Sequence, residues 1–97
     1  MMVDIGYLNY ISIDKIVSVK HRHEATKEDV NFYTAAEKRG VVIDMTGGKK
    51  RRSYVLTSDG FVYVTSFKSE TIRGRINRMM GIGFDENVDN DEYPLPV

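Results

Sequence analysis

The chain has 97 residues, no cysteine, and equal numbers of acidic and basic side chains, fourteen each. That length is about one small domain, and the missing cysteines exclude disulfides and Cys-type zinc sites. The longest apolar runs, residues 41–43 and 61–64, fall far short of the roughly 20 residues of a membrane span, and no basic-then-apolar signal segment opens the sequence, so the expectation is a cytoplasmic protein without a membrane partner.

Net neutrality conceals a division. Five of the acids, Asp85, Glu86, Asp89, Asp91 and Glu92, lie beyond residue 84 without any Lys or Arg, which leaves nine acids against fourteen bases before them, a net +5. The expected organisation is therefore one domain over residues 1–84 and a solvated, disordered acidic tail over 85–97. A tail of that charge also has the chemistry to compete with a polyanion for the basic surface.

In chain order, the β-branched and aromatic stretch from Asp4 to Arg22 predicts a short strand near Val3 to Tyr7, a turn between Gly6 and Asn9, and a longer strand near Asp14 to His21. Thr26, followed by Glu28 and Asp29, reads as a helix start, and Gly40 as the stop of a helix that runs to about Arg39. The residues 41–45 form a compact strand, and Gly47-Gly48 supplies a tight turn. Asp59-Gly60 then reads as the two-residue loop of a hairpin between residues 53–57 and 61–66. That loop would set Leu56 opposite Tyr63 and Tyr54 opposite Thr65, with Tyr54, Leu56, Phe61, Tyr63 and Phe67 on one face and Val55, Val62 and Val64 on the other. Both faces are apolar, so helices are expected on one and a neighbouring chain or second sheet layer on the other.

Ser69-Glu70-Thr71 opens a second helix with a packed stripe of Ile72, Ile76, Met79 and Met80, leaving Arg75 and Arg78 on the opposite side towards solvent or a ligand. The element order is β-β-α-β-β-β-α: an α+β fold, a small mostly antiparallel sheet with two helices.

The chemistry concentrates in Lys49-Lys50-Arg51-Arg52, directly behind the glycine pair. Alternation along a strand places Arg52 with Tyr54, and sends Lys49 and Arg51 to one face and Lys50 and Arg52 to the other, although long cationic stems can swing their heads together. The residues alone leave three uses open: protection of a sheet edge, nucleic-acid binding, and binding of a phosphorylated ligand. A phosphate-loop reading fails on spacing. His21 and His23 lack a third metal ligand nearby and flank Arg22, so a polar strand end is expected of them, with no metal or other cofactor. Tyr7, Tyr10, Phe32, Tyr33 and Tyr54 have the faces to stack bases but the spacing of core residues. No nucleophile stands beside a base, and no enzyme is expected.

Four segments together resemble the RemA-like family, that of extracellular matrix regulatory protein A. Ile5-Gly6-Tyr7 through Asn9 to Ile16-Val17-Ser18-Val19 is similar to its I-G-F-G-N opening and following strand. Ala36-Glu37-Lys38-Arg39-Gly40-Val41-Val42-Ile43-Asp44-Met45-Thr46 is similar to its A-x-x-R-G-x-x-I-D-A-T core, and Gly48-Lys49-Lys50-Arg51-Arg52 to its G-R-R-T-R. Ser69-Glu70-Thr71-Ile72 with Arg75 resembles its P-E-T-V…R helix.

The resemblance implies a DNA-binding transcriptional activator of biofilm matrix genes, associated with the nucleoid, whose homo-oligomeric ring lays double-stranded DNA along a basic outer rim. The site it implies comprises Lys49 and Lys50, Lys15 on the first long strand, and Arg52; Arg51 and Arg75 complete the cationic set. The alternative is a structural or protein-interaction ring module that binds an acidic partner or a phosphorylated ligand. Departures from the family pattern are Leu8 in place of glycine, a longer segment between Lys20 and Val30, and lysines at three arginine positions, which keep charge but lose the bidentate fork.

Overall fold

The computed structural model describes residues 1–81, so the acidic segment expected from Asp85 onward lies outside the described residues. The chain begins with two short strands, β1 (Met2–Asp4) and β2 (Tyr10–Ser12), paired antiparallel with Val3 opposite Ile11. A 3-10 turn at Ile13–Lys15 leads into β3 (Ile16–His21), and a second at Arg22–Glu24 leads into α1 (Lys27–Lys38). The strands β4 (Val42–Asp44), β5 (Ser53–Thr57) and β6 (Val62–Thr65) follow, and α2 (Ser69–Met79) closes the fold.

The sequence reading is one strand short, because the chain reverses inside the stretch read as Val3 to Tyr7. The Asp4 carboxylate accepts the Gly6 amide at 2.8 Å, the Ile5 amide donates to the Asn9 carbonyl, and the Asn9 amide and side chain both donate to the Gly6 carbonyl. Tyr7 and Leu8 occupy the turn at φ 53° and 61°, a left-handed conformation rarely adopted by non-glycine residues. β2 is the return arm of that turn, and β3 starts at Ile16 because the 3-10 turn intervenes.

The four-stranded sheet has the order β3-β5-β6-β4, with β3 and β6 antiparallel to β5 and β4 parallel to β6. It is a mixed sheet, since α1 carries the chain from the β3 edge to the β4 edge. α1 begins and ends where expected: the Thr26 hydroxyl accepts the Asp29 amide, the Asp29 carboxylate accepts the Thr26 amide, and Gly40 follows at φ 74°.

The β5–β6 register differs from the expected one by a residue. Leu56 lies opposite Val62 and Tyr54 opposite Val64. The cause is the loop, which has three residues: the Gly60 amide donates to the Thr57 carbonyl, the Thr57 amide to the Phe61 carbonyl, and Gly60 alone takes a positive φ, 88°. Asp59 keeps a negative φ and its carboxylate instead accepts the Thr57 hydroxyl, which holds its pKa below the usual carboxylate range.

A one-residue shift exchanges every facing partner. Tyr54, Leu56 and Val62 pack with Ala36, Phe32 and Tyr33 under α1, whereas Val55 and Tyr63 pack with Val3, Ile5, Ile11, Val19 and Ile72 between the β1–β2 pair and α2. Both faces are thus covered from within the chain, and the apolar second face needs no neighbouring subunit to bury it. In α2, Ile72 is fully buried and Ile76 half-buried, while Met79 and Met80 are exposed, so the expected stripe is a core contact only over its first half. Among the described residues, no helix is long and apolar enough to cross a membrane.

Candidate nucleic-acid interface

Two tight turns meet at the corner of the fold that precedes β5. The first is the Tyr7–Leu8 turn. The second follows β4: the Asp44 carboxylate accepts the Thr46 amide at 2.8 Å and the Thr46 hydroxyl at 2.6 Å, and that hydroxyl accepts the Gly48 amide. The Lys49 amide donates to the Thr46 carbonyl across Gly47 and Gly48, at φ 63° and 85°. Glycine is needed twice over at 47, where a Cβ would also stand 3.1 Å from the Tyr7 ring.

The Tyr7 ring therefore lies flush against the backbone of the second turn. Lys49 in turn places its ammonium 5.9 Å from the centre of that ring, within the range of a cation–π contact. Lys49, Lys50, Arg51 and Arg52 are all exposed, and the Arg52 amide bonds the Thr65 carbonyl at 2.9 Å, so the run is anchored at both ends. Arg51 approaches Asp44 at 3.6 Å, with both side chains half exposed. The Thr46 hydroxyl and amide hold the Asp44 carboxyl below its ordinary pKa, with a further contribution from Arg51. An exposed, solvent-screened pair of this kind is weak, so Arg51 remains available to a stronger anion.

The remaining two candidates lie elsewhere. Lys15 sits beside the hairpin tip: its carbonyl accepts the Ser58 amide and its ammonium is 3.9 Å from Asp59. The 49–52 run precedes the other end of β5, about 13 Å away along a five-residue strand. One subunit therefore does not gather Lys15 and the 49–52 run into one patch. Arg75 is half-buried: its guanidinium donates to the Asp4 carbonyl at 3.0 Å, lies 3.7 Å from the Asp4 carboxylate and rests 4.8 Å from the centre of the Phe67 ring. In this geometry Arg75 braces β1, and through Asp4 and Gly6 it supports the Tyr7 turn.

Tyr7 and Asp44 are the site residues whose positioning roles sequence reasoning missed. Tyr7 reads as a generic core aromatic, and only the packing of two turns distant in sequence makes it the seat of Lys49. For Asp44, the D-x-T-G-G string carries the signal for a carboxylate-braced turn. His21 and His23 serve the strand end: His21 Nδ1 accepts the His23 amide at 3.2 Å, and the rings lie 5.1 Å apart. Among the described residues no group of three or more His, Asp or Glu side chains is arranged to hold a metal ion.

Comparison with known proteins agrees with the motif pattern. A protein from Thermodesulfovibrio yellowstonii that carries a provisional name as a regulatory protein is 33% identical over 79 residues, covering 81% of this chain and 91% of its own length. Similarly named proteins of Natranaerobius thermophilus and Thermoanaerobacter sp. are 28% and 25% identical, each over 91 residues and more than nine-tenths of both chains. The family model described as RemA-like, extracellular matrix regulatory protein A-like, matches residues 2–76. With the G-G-K-K-R-R turn and the R-G-x-x-I-D-x-T core both inside that match, the chain belongs to the RemA-like family.

Proposed function

We propose that this protein is a DNA-binding transcriptional regulator that uses turn- and sheet-borne cations in place of a recognition helix. The observation that carries the reading is the 49–52 run: four consecutive exposed cations are held at a fixed corner by a glycine turn, an aromatic seat and the first bond of the β5–β6 ladder. Such an array meets successive phosphates without first having to be ordered, so little of the binding free energy is lost to entropy. Lysine supplies charge without the bidentate reading of guanine, which favours phosphate contact over base readout at positions 49 and 50. The regulatory role agrees with the names of the relatives, and the family description makes matrix genes the targets of choice.

Lys49, Lys50, Arg51 and Arg52 are the principal contacts. Lys15 is an outlying contact at the far end of β5. Arg75 acts mainly as a brace, with any contact to DNA secondary to its hold on Asp4 and Phe67. A few phosphate contacts per subunit give modest affinity, and a ring-shaped homo-oligomer would repeat them along one duplex, so that avidity supplies the rest. Since both sheet faces are covered within the chain, such a ring would assemble through edges and turns; exposed Met2, Tyr7, Leu8 and Tyr10 supply apolar surface for it.

The test is the double variant Lys49→Ala, Lys50→Ala in an electrophoretic shift assay, with light scattering to follow the assembly. DNA binding is expected to be lost with the mass unchanged, and any residual binding should show a shallower salt dependence, by about 2 in the logarithmic slope for each engaged subunit. Binding at the affinity of the unaltered protein would overturn the proposal.

A further inference from the structure

On the α1 side of the sheet, the helix leaves β3 at one end and drifts across towards β4, so its first turns stand off from the β3–β5 half of the sheet. The result is an open groove of about 250 Å³. Tyr33 and Tyr54 meet edge to face at 5.6 Å within it, Leu56 lines its depth, and Val30 leaves an apolar side chain 53% exposed at its rim. Lys20 and Arg22 stand at the same rim. Lys20 is 3.6 Å from Asp29, a carboxylate already engaged by the Thr26 amide, and Arg22 is exposed, so the rim has net positive charge. An apolar trough with an aromatic pair and a cationic lip fits an extended segment that is apolar in one part and acidic in the next.

The chain contains one such segment outside the described residues. Its last seven positions are Asp91-Glu92-Tyr93-Pro94-Leu95-Pro96-Val97, two acids followed by five residues with no charged side chain. We infer that this groove is the docking site of the chain's own C-terminal segment, with Tyr93 to Val97 against Tyr33, Tyr54 and Leu56, and with Asp91 and Glu92 at Lys20 and Arg22. Proline fixes its own φ and disfavours the helical region in the residue before it, so a segment with prolines on both sides of Leu95 has less entropy to lose when an aromatic-lined groove takes it up. The length suffices: residues 82–92 are eleven in number and span up to about 36 Å when extended. The path from the α2 side of the sheet round the exposed β3 edge to the α1 side crosses two packing layers, about 20 Å.

The docking stands on the groove and the segment alone. Its consequence rests on the proposed DNA binding: His21 is opposite Ser53, so the Arg22 lip adjoins the end of β5 that carries the 49–52 run, and the docked acids would compete there with phosphate.

Because the chain has no cysteine, a nitroxide attached to Val97→Cys in the otherwise unaltered full-length protein labels a single site. The expected result is loss of most amide NMR intensity at Lys20, Val30, Tyr33 and Tyr54 with little change near Lys15, and recovery when Tyr93→Ala and Leu95→Asp are added. Loss at those amides in an isotope-labelled, nitroxide-free chain co-refolded with labelled partner would place the segment of a second copy in the groove, and uniform or absent loss would leave the groove empty. Either outcome overturns the assignment, and neither bears on whether the protein binds DNA.

Discussion

Leu8→Gly is expected to stabilise the protein even though it deletes a large apolar side chain. Leu8 sits at φ 61° and is 73% exposed, so its side chain contributes little burial while its backbone is held in the left-handed region. That conformation costs a non-glycine residue about 1–2 kcal/mol. Glycine removes the strain but makes the unfolded chain more flexible, which returns about 0.5–1 kcal/mol of it. The difference is a net gain of about 0.5–1 kcal/mol, or about 3–6 °C in Tm for a domain of this size. Leu8→Ala is the control, since it removes the same side chain and keeps the strain; its Tm should stay near that of the unaltered protein. Thermal unfolding followed by circular dichroism at matched protein concentration measures both. A Leu8→Gly variant no more stable than Leu8→Ala would refute the argument, because the left-handed turn would then carry no cost that glycine relieves. The family pattern places glycine at this position, which is the residue the geometry asks for.

Arg75→Ala should lower stability by about 1–2 kcal/mol, seen as a lower urea midpoint at unchanged slope, because a charged donor on the Asp4 carbonyl and the stack on Phe67 are lost together. The exposed Lys50→Ala should stay within about 0.5 kcal/mol, and equal effects of the two would refute the bracing role of Arg75. Acid should destabilise the fold in a defined window. The carboxyl of Asp44 is held low by Thr46 and that of Asp59 by the Thr57 hydroxyl; at Asp29 partial burial pushes upward but is outweighed by the Thr26 amide and hydroxyl, with Lys20 adding to them. Groups with depressed folded pKa values contribute stability that is complete above their unfolded values, about 4, and is lost as the pH falls through the folded ones. Tm should therefore be insensitive to these groups above about pH 5 and fall below about pH 4, and Asp44→Asn should flatten that decline. An Asp44→Asn profile parallel to that of the unaltered protein would count against the Thr46 bracing.

Local sequence determined the elements whose signals are self-contained. Thr26, Asp29 and Gly40 bound α1 through hydrogen bonds made within a few residues, so the helix could be read before any packing was known. The compact apolar run that opens Val41-Val42-Ile43-Asp44-Met45 and the Gly47-Gly48 pair placed β4 and its turn for the same reason. The 49–52 cations and the family motifs around them were equally plain, because charge and motif do not depend on register. The α+β class followed from element order.

Tertiary structure decided what depends on counting across a turn or on contacts between distant segments. Asp59-Gly60 is compatible with a two-residue or a three-residue loop; the Thr57 hydroxyl and the single positive φ at Gly60 select the longer one, and that one residue exchanges the faces of Tyr63 and Val62. The Tyr7–Leu8 turn was hidden because neither residue advertises a left-handed conformation; it is imposed by Asp4, Asn9 and the close approach of Gly6 to the Met45 carbonyl. Arg75 shows the limit of helical periodicity. Its angular position on α2 suggested solvent or a ligand, but the β1–β2 pair folds back over that side and draws the guanidinium onto Asp4 and Phe67. Sequence thus named the cations, and the packing of two turns decided that Lys49 is seated on Tyr7 while Lys15 stands at the other end of the sheet.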